Sequence, residues 1–139
     1  MAILTGPAVE GAIQRGVAKF QYDFTVHGGT VGSINLTGDQ LPIGAVVYGG
    51  IIDVITALGS AGGATGALNV EAANDLVSAT VVAGAPWSTT GLKAIIPVAT
   101  AGSSVKLTAA RNIVLTVAVA DLNAGKFNLF LVYFRSATT

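Results

Sequence analysis

The one histidine of the chain, His27, stands beside a Gly28-Gly29 pair, with Asp23 four residues earlier. A histidine and a carboxylate at close spacing invite a general-base reading. That chemistry needs a nucleophile within hydrogen-bond reach and a carboxylate that orients the imidazole. No nucleophile is marked by the spacing here. On a regular strand Asp23 falls on the face opposite Phe24. The residue types describe a histidine in a turn rather than a catalytic one.

Other chemistry is thinly supplied. The chain has no cysteine, which excludes disulfides, thiolate metal sites and thiol nucleophiles. One histidine is too few for the common zinc sites, and the carboxylates are dispersed without a calcium-loop pattern. Asn74-Asp75 reads as a turn. The glycines at Gly59, Gly62, Gly63 and Gly66 lack the Lys-Ser/Thr ending and the following helix of a phosphate-binding loop. Asn35-Leu36-Thr37 matches the short glycosylation pattern with no secretion signal to support it. No catalytic residue, metal ligand or cofactor is expected, and the chain is not read as an enzyme. Trp87, the only tryptophan, follows Pro86 in a loop. It could anchor a contact or stack on a sugar with Tyr48, but a plug at one end of the core is the preferred reading, because an indole buries a large apolar area.

Any such side chains must be carried by a chain of unusual make-up. Only 10% of its 139 residues are charged and 52% are hydrophobic. Soluble domains average about 25% charged residues. A surface so poor in charge is expected to be covered, in part, by copies of itself or by a partner. Seven basic residues balance seven acidic ones. Arg15, Lys19, Lys93, Lys106, Arg111, Lys126 and Arg135 are scattered singly, without the concentrated charge that drives nucleic-acid binding. The apolar run at the N-terminus is broken by Gly6 and Pro7 and has no basic start, unlike a secretory signal. Cytosolic synthesis is the expectation. Leu41 to Leu58 is long enough to cross a bilayer, but it carries Asp53, Pro42 and a Gly49-Gly50 pair. A carboxylate at the centre of a membrane helix costs about 2.5–3.5 kcal/mol. No membrane insertion is expected.

Alternation of apolar and polar residues dominates, and helical periodicity is nearly absent. Lys19 to Val26 places Phe20, Tyr22, Phe24 and Val26 on one face of a strand. Further strands are expected at Val31–Leu36, Ala45–Ala57, Ala67–Glu71, Leu92–Val98, Val105–Thr108 and Ile113–Val119. Gly49-Gly50 marks a bulge within the third, and Pro97 marks a sheet edge. Glu71 to Val82 holds either one helical turn or a turn at Asn74-Asp75 before a strand, and the strand is preferred. Phe127 to Phe134 is apolar on both faces: Phe127, Leu129, Leu131 and Tyr133 on one, Phe130, Val132 and Phe134 on the other. Such a strand is covered twice. Eight or nine strands with turn-rich loops predict an all-β sandwich, with a jelly roll preferred. Residues 17–139 form this domain. Residues 1–16 lack alternation and read as an N-terminal arm. It packs across a neighbour or lies on its own domain.

Three phrases carry a resemblance: LPIGAVVYGGIIDVITAL, GALNVEAANDLVSA and GLKAIIPVATAGSSVKLTAARNIVLTVAVADLNAGKFNLFLVYF. Their texture and order resemble the jelly-roll cement, or decoration, proteins of tailed bacteriophages, the Bordetella-phage members among them. The resemblance implies a structural protein on the outside of an icosahedral virion, made in the host cytoplasm. It implies a homodimer or homotrimer that bridges neighbouring major capsid proteins. The family has no motif to carry over residue by residue. The contact residues expected from physics are Ile3, Leu4, Pro7, Val9 and Ile13 of the arm, Trp87, and Phe130, Val132 and Phe134 of the last strand. A carbohydrate-binding or fibre-type module is the alternative.

Overall fold

Two antiparallel sheets face each other in the computed structural model, which describes residues 13–98 and 104–136. The order along the chain is β1 (Ile13–Asp23), α1 (Phe24–His27), β2 (Gly32–Asn35), β3 (Thr37–Gly38), β4 (Val46–Gly59), β5 (Thr65–Asn69), β6 (Val77–Val81), β7 (Gly91–Ile95), β8 (Val105–Lys106), β9 (Val114–Ala118) and β10 (Ala124–Ser136). The larger sheet runs β3-β1-β10-β4-β7, with β8 also paired to β4; the smaller runs β2-β9-β5-β6. The all-β sandwich expected from the sequence is the fold observed.

The period-two pattern explains the core. Phe20 and Tyr22 of β1, Ile52 and Val54 of β4, and Phe127, Leu129 and Leu131 of β10 turn inward from the large sheet. Leu68 of β5 and Leu115 and Val117 of β9 meet them from the small sheet. Each large aliphatic or aromatic side chain so buried contributes roughly 1.5–3 kcal/mol before chain entropy opposes it. The bulge expected at Gly49-Gly50 falls one residue earlier. Val132 pairs with Gly49 but Tyr133 pairs with Val47, which leaves Tyr48 extra. β7 is an edge strand that ends before Pro97, as a residue without an N–H requires. Past Asn74 the chain does form the preferred strand, β6.

Three expectations are corrected. The strand read as Lys19 to Val26 begins at Ile13 and stops at Asp23. Its first four residues lie in the segment read as arm, and all of β1 pairs with β10, from Ile13 opposite Ser136 to Asp23 opposite Lys126. Phe24 to His27 turn into a short helix instead of continuing the strand. Asp23 causes the break: its Oδ1 accepts from the Thr25 amide at 2.9 Å and the Thr25 hydroxyl at 2.7 Å. Val26, expected inside, is exposed. Gly28 then takes a positive φ of 73° and donates to the Phe24 carbonyl at 2.9 Å.

The contact role expected of Trp87 is the third to be corrected, while the plug preferred for it is what the structure holds. The indole is fully buried, with its ring 5.7 Å from that of Phe127 and its Nε1–H donating to Thr80 Oγ1 at 2.9 Å. It plugs the sandwich and presents no face to a partner or a sugar. The loop from β6 to β7 folds over one end of the sheets, so a loop residue becomes core.

Tyr22 ties the short helix to this core. Its hydroxyl donates to the Gly28 carbonyl at 2.6 Å, and burial pushes the phenol up to about 12 from 10.0. The unfolded chain therefore loses this proton first as pH rises. The folded form binds more protons between those values, so stability falls as pH climbs through that window. Denaturant unfolding at pH 9 and pH 11 is expected to show a stability loss that Tyr22→Phe reduces. Equal losses in both proteins would refute the assignment.

Candidate interaction face

The polar clusters serve the fold. His27 Nδ1 accepts from the Asp23 amide at 3.0 Å, which leaves Nε2 to donate to Thr37 Oγ1 at 2.8 Å. Both ring nitrogens are thus engaged in holding the β1–α1 corner against β3. Asp23 also faces Lys126 at 3.6 Å, and the Thr25 hydroxyl and amide hold its carboxyl below the ordinary value. Glu71 accepts from the Thr108 hydroxyl at 2.7 Å, the Thr108 amide at 3.1 Å and Arg111 Nε at 2.7 Å. Those bonds, from Thr108 first, hold its carboxyl low. Among the described residues no three His, Cys, Asp or Glu side chains gather where they could hold a metal.

What the core does not absorb is one face of the large sheet. Its inner face is set by Phe20, Ile52, Leu129 and their neighbours, so strand alternation sends the intervening residues outward. Val17 and Lys19 leave β1, Phe130, Val132 and Phe134 leave β10, Ile51, Asp53 and Ile55 leave β4, and Leu92, Ala94 and Ile96 lie along β7 and just beyond its end. Register aligns them in rows. Lys19, Phe130, Ile51 and Ala94 form one row; Gln21, Asn128, Asp53 and Leu92 form the next. Val17 is 69% exposed, Leu92 70% and Ile96 83%, and Ile51, Ile55 and Tyr48 are also open. Phe130, Val132 and Phe134 are half-buried by these neighbours. The Tyr48 and Phe134 rings tilt together at 5.5 Å, and the Lys19 ammonium lies 5.9 Å over the Phe130 ring. Gln21 donates to Asn128 at 2.9 Å.

The opposite exterior differs. Register on the small sheet puts Ser33, Thr116 and Ala67 in one outward row, and Asn35, Val114 and Asn69 in another. Asn69 donates to Thr116 at 2.6 Å there. This exterior mixes small and polar residues with scattered valines such as Val81, whereas that of the large sheet is broader and more continuously apolar. Large apolar patches on a soluble domain mark interaction sites.

Of the contact residues expected from the sequence, Phe130, Val132 and Phe134 share this face. Trp87 does not reach it. Ile13 opens β1, while Ile3, Leu4, Pro7 and Val9 lie outside the described residues. Sequence reasoning missed Val17, Ile51, Ile55, Leu92 and Ile96. Each strand's parity pointed them outward, but only the strand order makes them neighbours.

No protein-family model and no curated protein matches the chain. Solved structures do. A chain in the capsid asymmetric unit of cyanophage Pam1 aligns over 96% of this chain and 94% of its own length, with 22% identity and a TM-score of 0.59. A chain in the acid-stable capsid of Helicobacter pylori bacteriophage KHP30 aligns over 88% and 93%, with 18% identity and a TM-score of 0.56. The fold is one found in bacteriophage capsids. A third example, from the capsid of Ralstonia phage GP4, covers 99% of this chain and 93% of the other, at 20% identity and a TM-score of 0.57. Coverage this high in both directions means that the matched chains are about as small as this one. No helix among the described residues is long and apolar enough to cross a membrane, and the apolar Leu41–Leu58 run is spent largely on β4.

Proposed function

We propose that this chain is a structural virion protein of the jelly-roll cement type. It binds the outside of an icosahedral phage capsid as a homo-oligomer, bridges neighbouring major capsid proteins, and stabilises the shell without catalysis. The observation that carries the reading is the pairing of an end-to-end fold likeness to small capsid chains with a broad apolar face left open among the described residues. Strand order supports the jelly-roll assignment: β1-β10-β4-β7 faces β2-β9-β5-β6, the order that rolling up a double Greek key would give. Cementing asks little of each contact. Many copies held at fixed spacing add modest affinities, because each linked event raises the effective concentration for the next. The polar clusters fit the same role, since each locks a corner of the sandwich. The reading is tested by whether shells assembled without this chain take it up at a fixed ratio.

A further inference from the structure

We propose that residues 1–12 dock on their own copy, in the groove at the end of the large sheet where β1 begins, with Glu10 set against Lys106. The inference goes beyond the reading above and depends neither on self-association nor on shell binding.

The sheet is unfinished at this end. The ladder between β10 and β1 runs to Ser136 opposite Ile13, whereas the ladder between β10 and β4 stops at Phe134 opposite Val46. Past Phe134, β10 keeps a strand on one side only among the described residues. A groove of about 740 Å³ lies there, walled by Ile43, Val46, Leu107 and Phe134 together with the cations Lys106 and Arg135. Ile43 is 59% exposed in it. Pockets of roughly 300–1,000 Å³ take a drug-sized ligand, which is the bulk of a few apolar side chains.

Reach and tether select the occupant. Residues 1–12 join the fold at Ile13, at this same end. Register puts Ile13 three strand spacings and two residues from Lys106, about 16 Å between backbones. The three residues back to Glu10 cover about 10 Å when extended, and the two long side chains close the remainder. Gly11 lies between and permits the turn off the line of β1. Ile3, Leu4, Pro7 and Val9 are then the side chains offered to the apolar walls. The arm of another copy would offer the same residues, but the covalent tether holds this one at an effective concentration of roughly millimolar. Residues 137–139 leave from the same end, but Ala, Thr and Thr bring too little apolar surface to fill the groove.

Charge agrees. Arg15, Phe134, Val46 and Lys106 form one row, so a cation stands at each end of an apolar pair. Lys106 is in no ion pair among the described residues. Glu71 reaches the neighbouring Thr108, but its oxygens are taken by Thr108 and Arg111. Glu10 is the one charged side chain among the first twelve residues, and its sign is the complementary one.

The chain has no cysteine, so engineered pairs report the contact. Val9→Cys with Ile43→Cys is expected to form a disulfide within one chain under mild oxidation. Val9→Cys with Val17→Cys is the control, because Val17 is exposed and four residues along β1 from Ile13, within the same reach but off the groove. The first pair is expected to close about tenfold faster than the second, since docking raises the local thiol concentration. Adding Lys106→Glu is expected to cancel most of that advantage, and adding Glu10→Lys as well to restore it. Val17, Ile43 and Lys106 are exposed, and circular dichroism checks that each variant stays folded. Equal rates for the two pairs, a first pair that closes only between chains, or a rate that Lys106→Glu leaves unchanged would each overturn the proposal.

Discussion

Trp87→Ala is expected to lower the unfolding free energy by about 3–5 kcal/mol, the range for removing a buried aromatic side chain. The indole has no exposed surface, packs on Phe127, and lies against Gly66, where an added Cβ would come within 3.3 Å of the ring. Nothing near it is free to fill the space. A domain of this size is stable by only about 5–15 kcal/mol, so the change removes a large share. Trp87→Phe keeps most of the ring but loses the Nε1–H bond to Thr80, which predicts a smaller loss of about 1–2 kcal/mol. Urea unfolding of the three proteins decides it. A loss under 1 kcal/mol for Trp87→Ala would show that the side chain is not a plug, and would reopen a contact role for it.

Asp75→Ala is expected to cost about 2–3 kcal/mol, because Asp75 is buried behind a turn whose residues Ala72 to Asn74 are exposed. Its carboxylate accepts three backbone amides: Val70 at 2.9 Å on Oδ1, and Glu71 at 2.9 Å and Ala72 at 2.8 Å on Oδ2. Water can replace it at Ala72, which is exposed. The amide of Val70 is buried, and leaving it unpaired carries the full desolvation penalty of about 1–3 kcal/mol. The turn also holds Asn74 at a positive φ of 63°, with its amide donating to Asn69 at 2.6 Å. Asp75→Asn keeps one accepting oxygen and should lose less. The same unfolding experiment measures both. Equal stability of Asp75→Ala and wild type would mean that the turn does not depend on this carboxylate.

Much of the sandwich was legible because its strands have one wet side and one dry side. Phe20 and Tyr22, Leu115 and Val117, and Leu129 and Leu131 announce their inward face through spacing alone. The α1 corner was not legible in the same way, because Phe24 and Val26 continue the alternation of β1. The break comes from a side-chain bond, Asp23 to Thr25, that competes with the strand. For Trp87 the plug was the preferred reading, because an indole buries a large apolar area, although a tryptophan beside a proline in a loop also fits a contact. Burial depends on where the loop folds.

The interaction face was half visible. The doubly apolar character of β10 pointed to a second cover over Phe130, Val132 and Phe134. That Lys19 and Asp53 share that face depends on β10 lying between β1 and β4. This is a non-local pairing that joins the two ends of the chain, and local pattern cannot supply it. The arm was drawn four residues too long, because Ile13 to Gly16 lack alternation yet pair throughout with β10.

Titration of the purified chain onto phage shells assembled without it, followed by sedimentation of the shells, tests the structural role most directly. Bound protein is expected to rise and then stop at a fixed number of copies per shell, set by the icosahedral sites. Binding that never saturates, or a chain that stays wholly in the supernatant at micromolar concentration, would contradict it.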